Sequence, residues 1–213
     1  NSAGTAGKGT MTVRKSIPTL SSTPITSTLS NGSNQVLGRF TVAADAAGDI
    51  GWKYLTFTIS KSTVDIGATS TIAIWAGSNQ VTGKFATTTE DLLGDLETFP
   101  AALGTDTVSF EATTEQQVTA GSSVTYELRG TVANVNTTGV EYIDVSIANP
   151  ATTATTTAAY ATVLDQLGAS NTSLIWTDRS SIATVHDETT ADWTDDYLVK
   201  TLPLTIGSRS ISI

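Results

Sequence analysis

Short segments in which apolar and polar residues alternate recur along almost the whole chain, and this period of two constrains the fold more than any other feature. Residues 36–42 (VLGRFTV), 55–59 (LTFTI), 71–75 (TIAIW), 107–110, 124–132 (VTYELRGTV) and 140–147 (VEYIDVSI) are rich in Val, Ile, Thr and aromatic side chains. Such side chains suit a half-buried pleated surface. In residues 124–132, Val124, Tyr126, Leu128 and Val132 share one face, while Thr125, Glu127, Arg129 and Thr131 share the other. That is the pattern of a sheet with one wet side. Turn residues punctuate the runs: Asp49 with Gly51, Gly77 with Asn79, Gly121 with Ser122, and residues 136–139. Many short strands with such punctuation predict an all-β sandwich. The AGS turn that begins at Ala120 is expected to close a hairpin, within a meander over residues 115–147.

Helix is scarce and confined to connectors. Residues 89–96 (TEDLLGDL) offer an N-cap-like Thr with acidic residues in the first turn, which predicts a short helix. Residues 159–167 suit helix or strand, and residues 191–198 suit a short helical turn. The C-terminal stretch 202–213 (LPLTIGSRSISI) is strand-like, with Leu202, Leu204 and Ile206 on one face. A bulge is expected at Gly207, after which the alternation passes to Arg209, Ile211 and Ile213.

The first 34 residues differ in texture, because Gly, Ser and Thr dominate them. Their one alternating stretch is 9–17 (GTMTVRKSI), which places Met11, Val13 and Ile17 on one side and Thr12, Arg14 and Ser16 on the other. Pro18 and Pro24 then break it, and residues 21–35 carry almost no apolar payload. The expected organisation is an arm of one strand and a linker over residues 1–34, followed by a sandwich over 35–213. The face of Met11, Val13 and Ile17 wants burial, either as the first edge strand of its own sandwich or along the sheet edge of a neighbouring copy. A head-to-tail contact of the second kind does not close, and so builds a filament.

Composition excludes several functions. The 213 residues fit one domain, or at most two small ones. The absence of Cys removes disulfides, Cys-ligated zinc, iron–sulfur clusters and thiol nucleophiles. A single His cannot furnish a multi-histidine metal site, and a Ser-His-Asp triad would have to run through His186. With a net charge of -9 and eleven scattered Lys and Arg, the chain is ill suited to nucleic acid or anionic membranes. It has no apolar run of the roughly 18–20 residues needed for a membrane-inserted helix. Asn1 in place of Met, together with about 30% Ser and Thr, leads us to expect an extracellular or cell-surface chain from which a leader has been removed.

Three stretches carry a family likeness: VTAGSSVTYELRGTV at 118–132, SLIWTDRSS at 173–181 and ADWTDDYLVKTLPL at 191–204. They resemble β-sandwich modules of large Thr-rich cell-surface proteins from uncultivated, small-genome bacteria. Residues 37–60 are similar to the opening strand pair of those modules, and MTVRKSIPTL to their lead-in strand. The resemblance implies an immunoglobulin-like sandwich without a disulfide, with a structural or adhesive role. It implies no catalytic residue, and it makes Trp176, Asp178 and Trp193 landmarks of the sandwich.

Candidate sites are correspondingly few. Asp187, Asp192, Asp195 and Asp196 crowd around His186 and supply hard oxygen ligands of the kind calcium prefers. They lack the spacing of an EF-hand, so a solvated acidic loop is the simpler reading and no cofactor is required. Among the tryptophans, Trp75 falls opposite Ile72 and Ile74 and is the one expected outside the core, where it could stack on a surface glycan. No nucleophile with its base can be assembled, which argues against an enzyme. The expected function is that of an exported subunit, partnered by itself, that assembles into a filament or surface coat by exchange of the N-terminal strand. The alternative is a monomeric adhesion or glycan-binding module that uses calcium.

Overall fold

The computed structural model describes residues 13–67, 71–87, 104–135, 139–147, 158–165, 173–181, 185–195, 199 and 201–212. In chain order the elements are β1 (Thr19–Ser22), β2 (Gly32–Ala43), β3 (Ile50–Lys61), β4 (Asp65–Ile66), β5 (Ala73–Ala76), β6 (Asn79–Val81) and β7 (Gly83–Thr87). They continue with β8 (Gly104–Val118), β9 (Ser123–Ala133), β10 (Val140–Ile147), α1 (Tyr160–Asp165), β11 (Leu174–Thr177), β12 (Trp193–Asp195) and β13 (Leu204–Ser212). These strands form two antiparallel sheets, and the chain is an all-β sandwich.

Each sheet is organised around one long strand. In the first, β9 has β2 along one edge, with β1 beyond it, and β4 and β5 in tandem along the other, with β6 beyond β5. In the second, β3 has β8 and then β7 along one edge. Its other edge is divided: β11 pairs along residues 51–55, with β12 beyond it, and β10 pairs along residues 57–61, with β13 beyond it. The whole run Ile50–Phe57 is buried, because one face of β3 meets the core while the other lies under α1 and the strands beside it.

The core between the sheets is apolar, as the alternation predicts: Phe40, Leu128 and Val132 come from one sheet, and Phe57, Ile59 and Val145 from the other. Aromatic rings tie the layers together. Tyr126 stacks on Phe40 at 5.4 Å and meets Trp52 edge-on at 5.1 Å. Each such ring, fully buried, contributes about 1.5–3 kcal/mol. Burial also pushes the Tyr126 hydroxyl up to about 12.

The layers come closest where two bulges face each other. β2 carries an extra residue at Leu37 and β13 one at Ile206, beside the Gly207 where the alternation was expected to shift. A Cβ on Gly207 would collide with the Leu37 carbonyl oxygen, and one on Gly38 would stand 2.7 Å from Ile206. Glycine at 207 lets the two backbones approach, whereas a Cβ at 38 would displace the Ile206 side chain.

Several expectations need correction. Residues 119–122 do form a tight turn, but it does not close a hairpin: β8 belongs to one sheet, and β9 crosses to the other. β10 crosses back again, so residues 115–147 are no meander. Asp49 anchors the crossing by accepting the Ala120 amide at 2.8 Å, a bond that holds its carboxyl below the usual aspartate range. Within residues 159–167 the described part forms α1, and within 191–198 residues 193–195 form the strand β12 rather than a helical turn, while 196–198 lie outside the described residues. The helix expected at 89–96 lies outside the described residues.

The N-terminal segment follows the expected period, but not as a strand. Arg14, Ser16, Pro18 and Leu20 face inward, and Val13 and Ile17 face out, 80% and 37% exposed. Among the described residues, strand pairing starts after Pro18, at β1. Between β1 and β2 the chain is mostly exposed, with Leu29 buried as its anchor, and the expected division at residue 34 falls within β2.

Candidate functional site

The densest polar network lies at the end of the sandwich where β3 begins. Its foundation is an irregularity in β8, which shifts register against β3 between Glu111 and Gln116 and so brings Glu115 over Gly51. A Cβ on Gly51 would run into the Glu115 carboxylate, so no other residue leaves that carboxylate in place. Arg179, held at φ 49° just past β11, donates to Glu115 at 2.5 Å.

His186 sits between two acids. Its Nδ1 is 3.0 Å from Glu115, and its Nε2 is 3.0 Å from Asp192 and 3.2 Å from the Thr177 hydroxyl. A ring carrying both protons donates to both carboxylates. Asp192 in turn accepts the Ser181 amide through its side chain and the Arg14 guanidinium through its backbone carbonyl, the latter at 2.7 Å. The second anchor of the N-terminal segment is Asp178, fully buried, which accepts from Arg14 at 3.2 Å, from the Lys15 amide at 2.7 Å and from Ser180 at 2.8 Å. Arg14 also lies over the Trp176 ring. Charge pairing, hydrogen bonds and a ring face thus hold residues 14–16 against the body of the chain.

Beside this network is a cleft of about 430 Å³ between the Thr113–Glu115 stretch of β8 and the His186–Thr189 loop, with Trp193 at its base. Behind it, Lys53 reaches Glu188 at 2.9 Å and Glu111 at 3.4 Å and lies over the Tyr160 ring. Tyr160 donates to Glu111 at 3.0 Å, and burial first, then the Glu111 charge, raises its hydroxyl far above the usual range.

The four aspartates singled out from sequence are not gathered into one site. Asp187 caps its own turn, where the Thr189 hydroxyl, at 2.7 Å, and then the Thr189 amide lower its carboxyl below the usual range. Asp192 serves His186 and Ser181, Asp195 is buried in β12, and Asp196 lies outside the described residues. Among the described residues no three His, Asp or Glu side chains converge as a metal ion requires. Of the three expected assembly residues, Val13 and Ile17 are exposed, and Met11 lies outside the described residues.

No family model matches this chain, and no curated protein matches its sequence.

Trp75 is half-buried on the outer face of the first sheet, while Trp52, Trp176 and Trp193 are fully buried. The Arg129 guanidinium covers its ring at 5.0 Å, and Glu127, on β9 like Arg129, joins it to Arg39 on β2. Sequence reading missed Glu115, Arg179 and Lys53 as members of a network. Nothing short of the fold brings β8 to the loop after β11.

Proposed function

We propose that the chain is an exported structural subunit that associates with copies of itself, through its N-terminal segment, into a filament or surface coat. In this reading the sandwich is an immunoglobulin-like module, and the segment before β1 is its assembly arm. The observation that carries the reading is the two-sidedness of residues 13–18. Arg14 and Ser16 hold the segment to its own body, while Val13 and Ile17 display an apolar edge that the same chain leaves uncovered. An extended, anchored segment with exposed β-branched residues suits strand addition to a neighbour. β13, at the margin of its sheet, is a nine-residue strand with a free edge among the described residues to receive one.

Electron microscopy and sedimentation of the purified protein, with and without calcium, test the proposal. Regular polymers that disappear in the double variant V13D/I17D, with the sandwich still folded, are the expected result. Polymers that survive the double substitution overturn the role of the arm, and a monomer under every condition overturns assembly. The half-exposed Trp75 beside Arg129 and Glu127 favours a second reading, a glycan-binding module. Glycan-array binding lost in W75A and strengthened by calcium would select it.

A further inference from the structure

At the end of the sandwich where β3 stops, the core-facing row of the second sheet is not apolar. Lys61, Ile143 and Arg209 stand directly opposite one another on β3, β10 and β13, so their side chains share the face that Val145, Ile59 and Gly207 present one row further in. Two strand spacings separate Lys61 from Arg209, about 10 Å. Lys61 is 3% and Arg209 5% exposed. All three guanidinium nitrogens of Arg209 are shielded from solvent and make no hydrogen bond among the described residues. Lys61 has no ion pair among the described residues.

The nearest acid in register cannot answer them. Glu141 pairs with Ile211, one row beyond Arg209, and it is buried as well. Its carboxylate is spent on Ser62 and Thr63: it accepts from the Ser62 hydroxyl and from the Thr63 hydroxyl, the latter at 2.7 Å, and these bonds lower it below the usual glutamate range. Burial pulls the Arg209 guanidinium down from its ordinary value, but from so high a start it stays charged at neutral pH. A buried cation without an acceptor is among the most costly features a core can carry. Five donors in a planar fork match the geometry of an oxyanion.

We propose that Arg209, with Lys61 beside it, forms an anion site at this end of the sandwich interior, for a free oxyanion such as sulfate or phosphate or for a carboxylate on a protein segment. The inference needs only the folded chain and is independent of the assembly reading. The test is thermal unfolding of the full chain, wild type and R209M, as sulfate or phosphate replaces chloride at constant ionic strength, and again with an oligoglutamate peptide. The wild-type Tm should rise with the logarithm of anion concentration above the Kd, by on the order of 5 °C once the anion is in hundredfold excess. R209M should show only the shallow rise, linear in concentration, that an excluded salt produces.

A logarithmic rise with sulfate or phosphate that R209M lacks supports the site with a free anion as its ligand. Such a rise with the peptide alone, or a Tm that climbs with protein concentration in wild type and not in R209M, supports it with a carboxylate on a chain, a second copy included. Identical responses of wild type and R209M to every probe overturn it. Should R209M fail to unfold cooperatively, R209K and K61M take its place. Each should move the onset of the logarithmic rise to roughly tenfold higher anion, and an unchanged onset in both overturns the proposal.

Discussion

The two ends of β3 solve the problem of buried charge in opposite ways. Where the strand begins, Asp178 has Arg14, Lys15 and Ser180 as donors, and His186 lies between Glu115 and Asp192. Where it stops, Arg209 enters the core face with no acceptor among the described residues, and Lys61 stands beside it with no ion pair among them. Charge is tolerated at the first end because the chain returns three times, in residues 14–16, in the loop after β11 and in the approach to β12, to supply partners. At the second end no such return is described. The difference separates a structural network, whose members hold one another in place, from an unsatisfied one, whose missing member must come from elsewhere.

The contrast can be broken most forcefully at Asp178. Replacing it with Ala removes the carboxylate that pairs with Arg14 and the acceptor of the Lys15 amide, and stability should fall by about 3–5 kcal/mol. A urea titration measures this, and a loss under about 1 kcal/mol would show that the pair is not structurally important. The same operation at the other end should have the opposite sign. In buffer free of oxyanions, R209M should be more stable than wild type by about 1–4 kcal/mol, because an uncompensated charge is replaced by an apolar chain. A destabilised R209M that still unfolds cooperatively would mean that the guanidinium already has a partner in the protein.

A smaller effect is expected at Gly51. G51A drives a methyl into the Glu115 carboxylate and should cost about 1–3 kcal/mol. Its sharper signature is spectroscopic: His186 is the only histidine in the chain, so its ring protons are unambiguous in an NMR spectrum. They should shift in G51A and stay in place in R209M.

Acid should act at both ends together. Asp49, Glu127, Glu141 and Asp187 are all held below their ordinary carboxyl values of 3.8 for Asp and 4.5 for Glu. A carboxyl lowered in the folded state contributes stability that is complete above its unfolded value and is lost as pH falls toward its folded one. The urea midpoint should therefore be flat with respect to these groups between about pH 5 and 7 and decline below about 4.5. A midpoint that rises on acidification would refute the assignment. The least consequence is expected on the outer sheet face, where burial works against the Glu127 charge but Arg129 and Arg39 together prevail. These partly exposed pairs are worth about 0.2–1 kcal/mol, so E127Q should barely move the melting curve.

Much of the fold is legible in the alternation. The faces of 124–132 are those of β9, and residues 140–147 coincide with β10. The shift at Gly207 that carries Arg209 to the inner side can also be read from LTIGSRSISI, because a bulge changes parity locally. The partners of β9 could not be read. Its pattern is the same whether residues 119–122 close a hairpin or cross between sheets, since a period of two records which face is buried and not which strand lies alongside. The N-terminal segment misled for a related reason. Parity separated Val13 and Ile17 from Arg14 and Ser16, but the polar side turned inward, because Asp178 and Asp192 await it from 164 and 178 residues away.

Sequence alone determined that this chain is a sandwich of short strands with a mixed, acidic surface, because side-chain alternation and turn residues are local properties. The tertiary structure decided strand order, the partners of the buried charges at the start of β3, and that Arg209 has none among the described residues. Those depend on contacts between segments far apart in the chain, and a buried charge is stable or costly only according to what the fold places within a few ångströms of it.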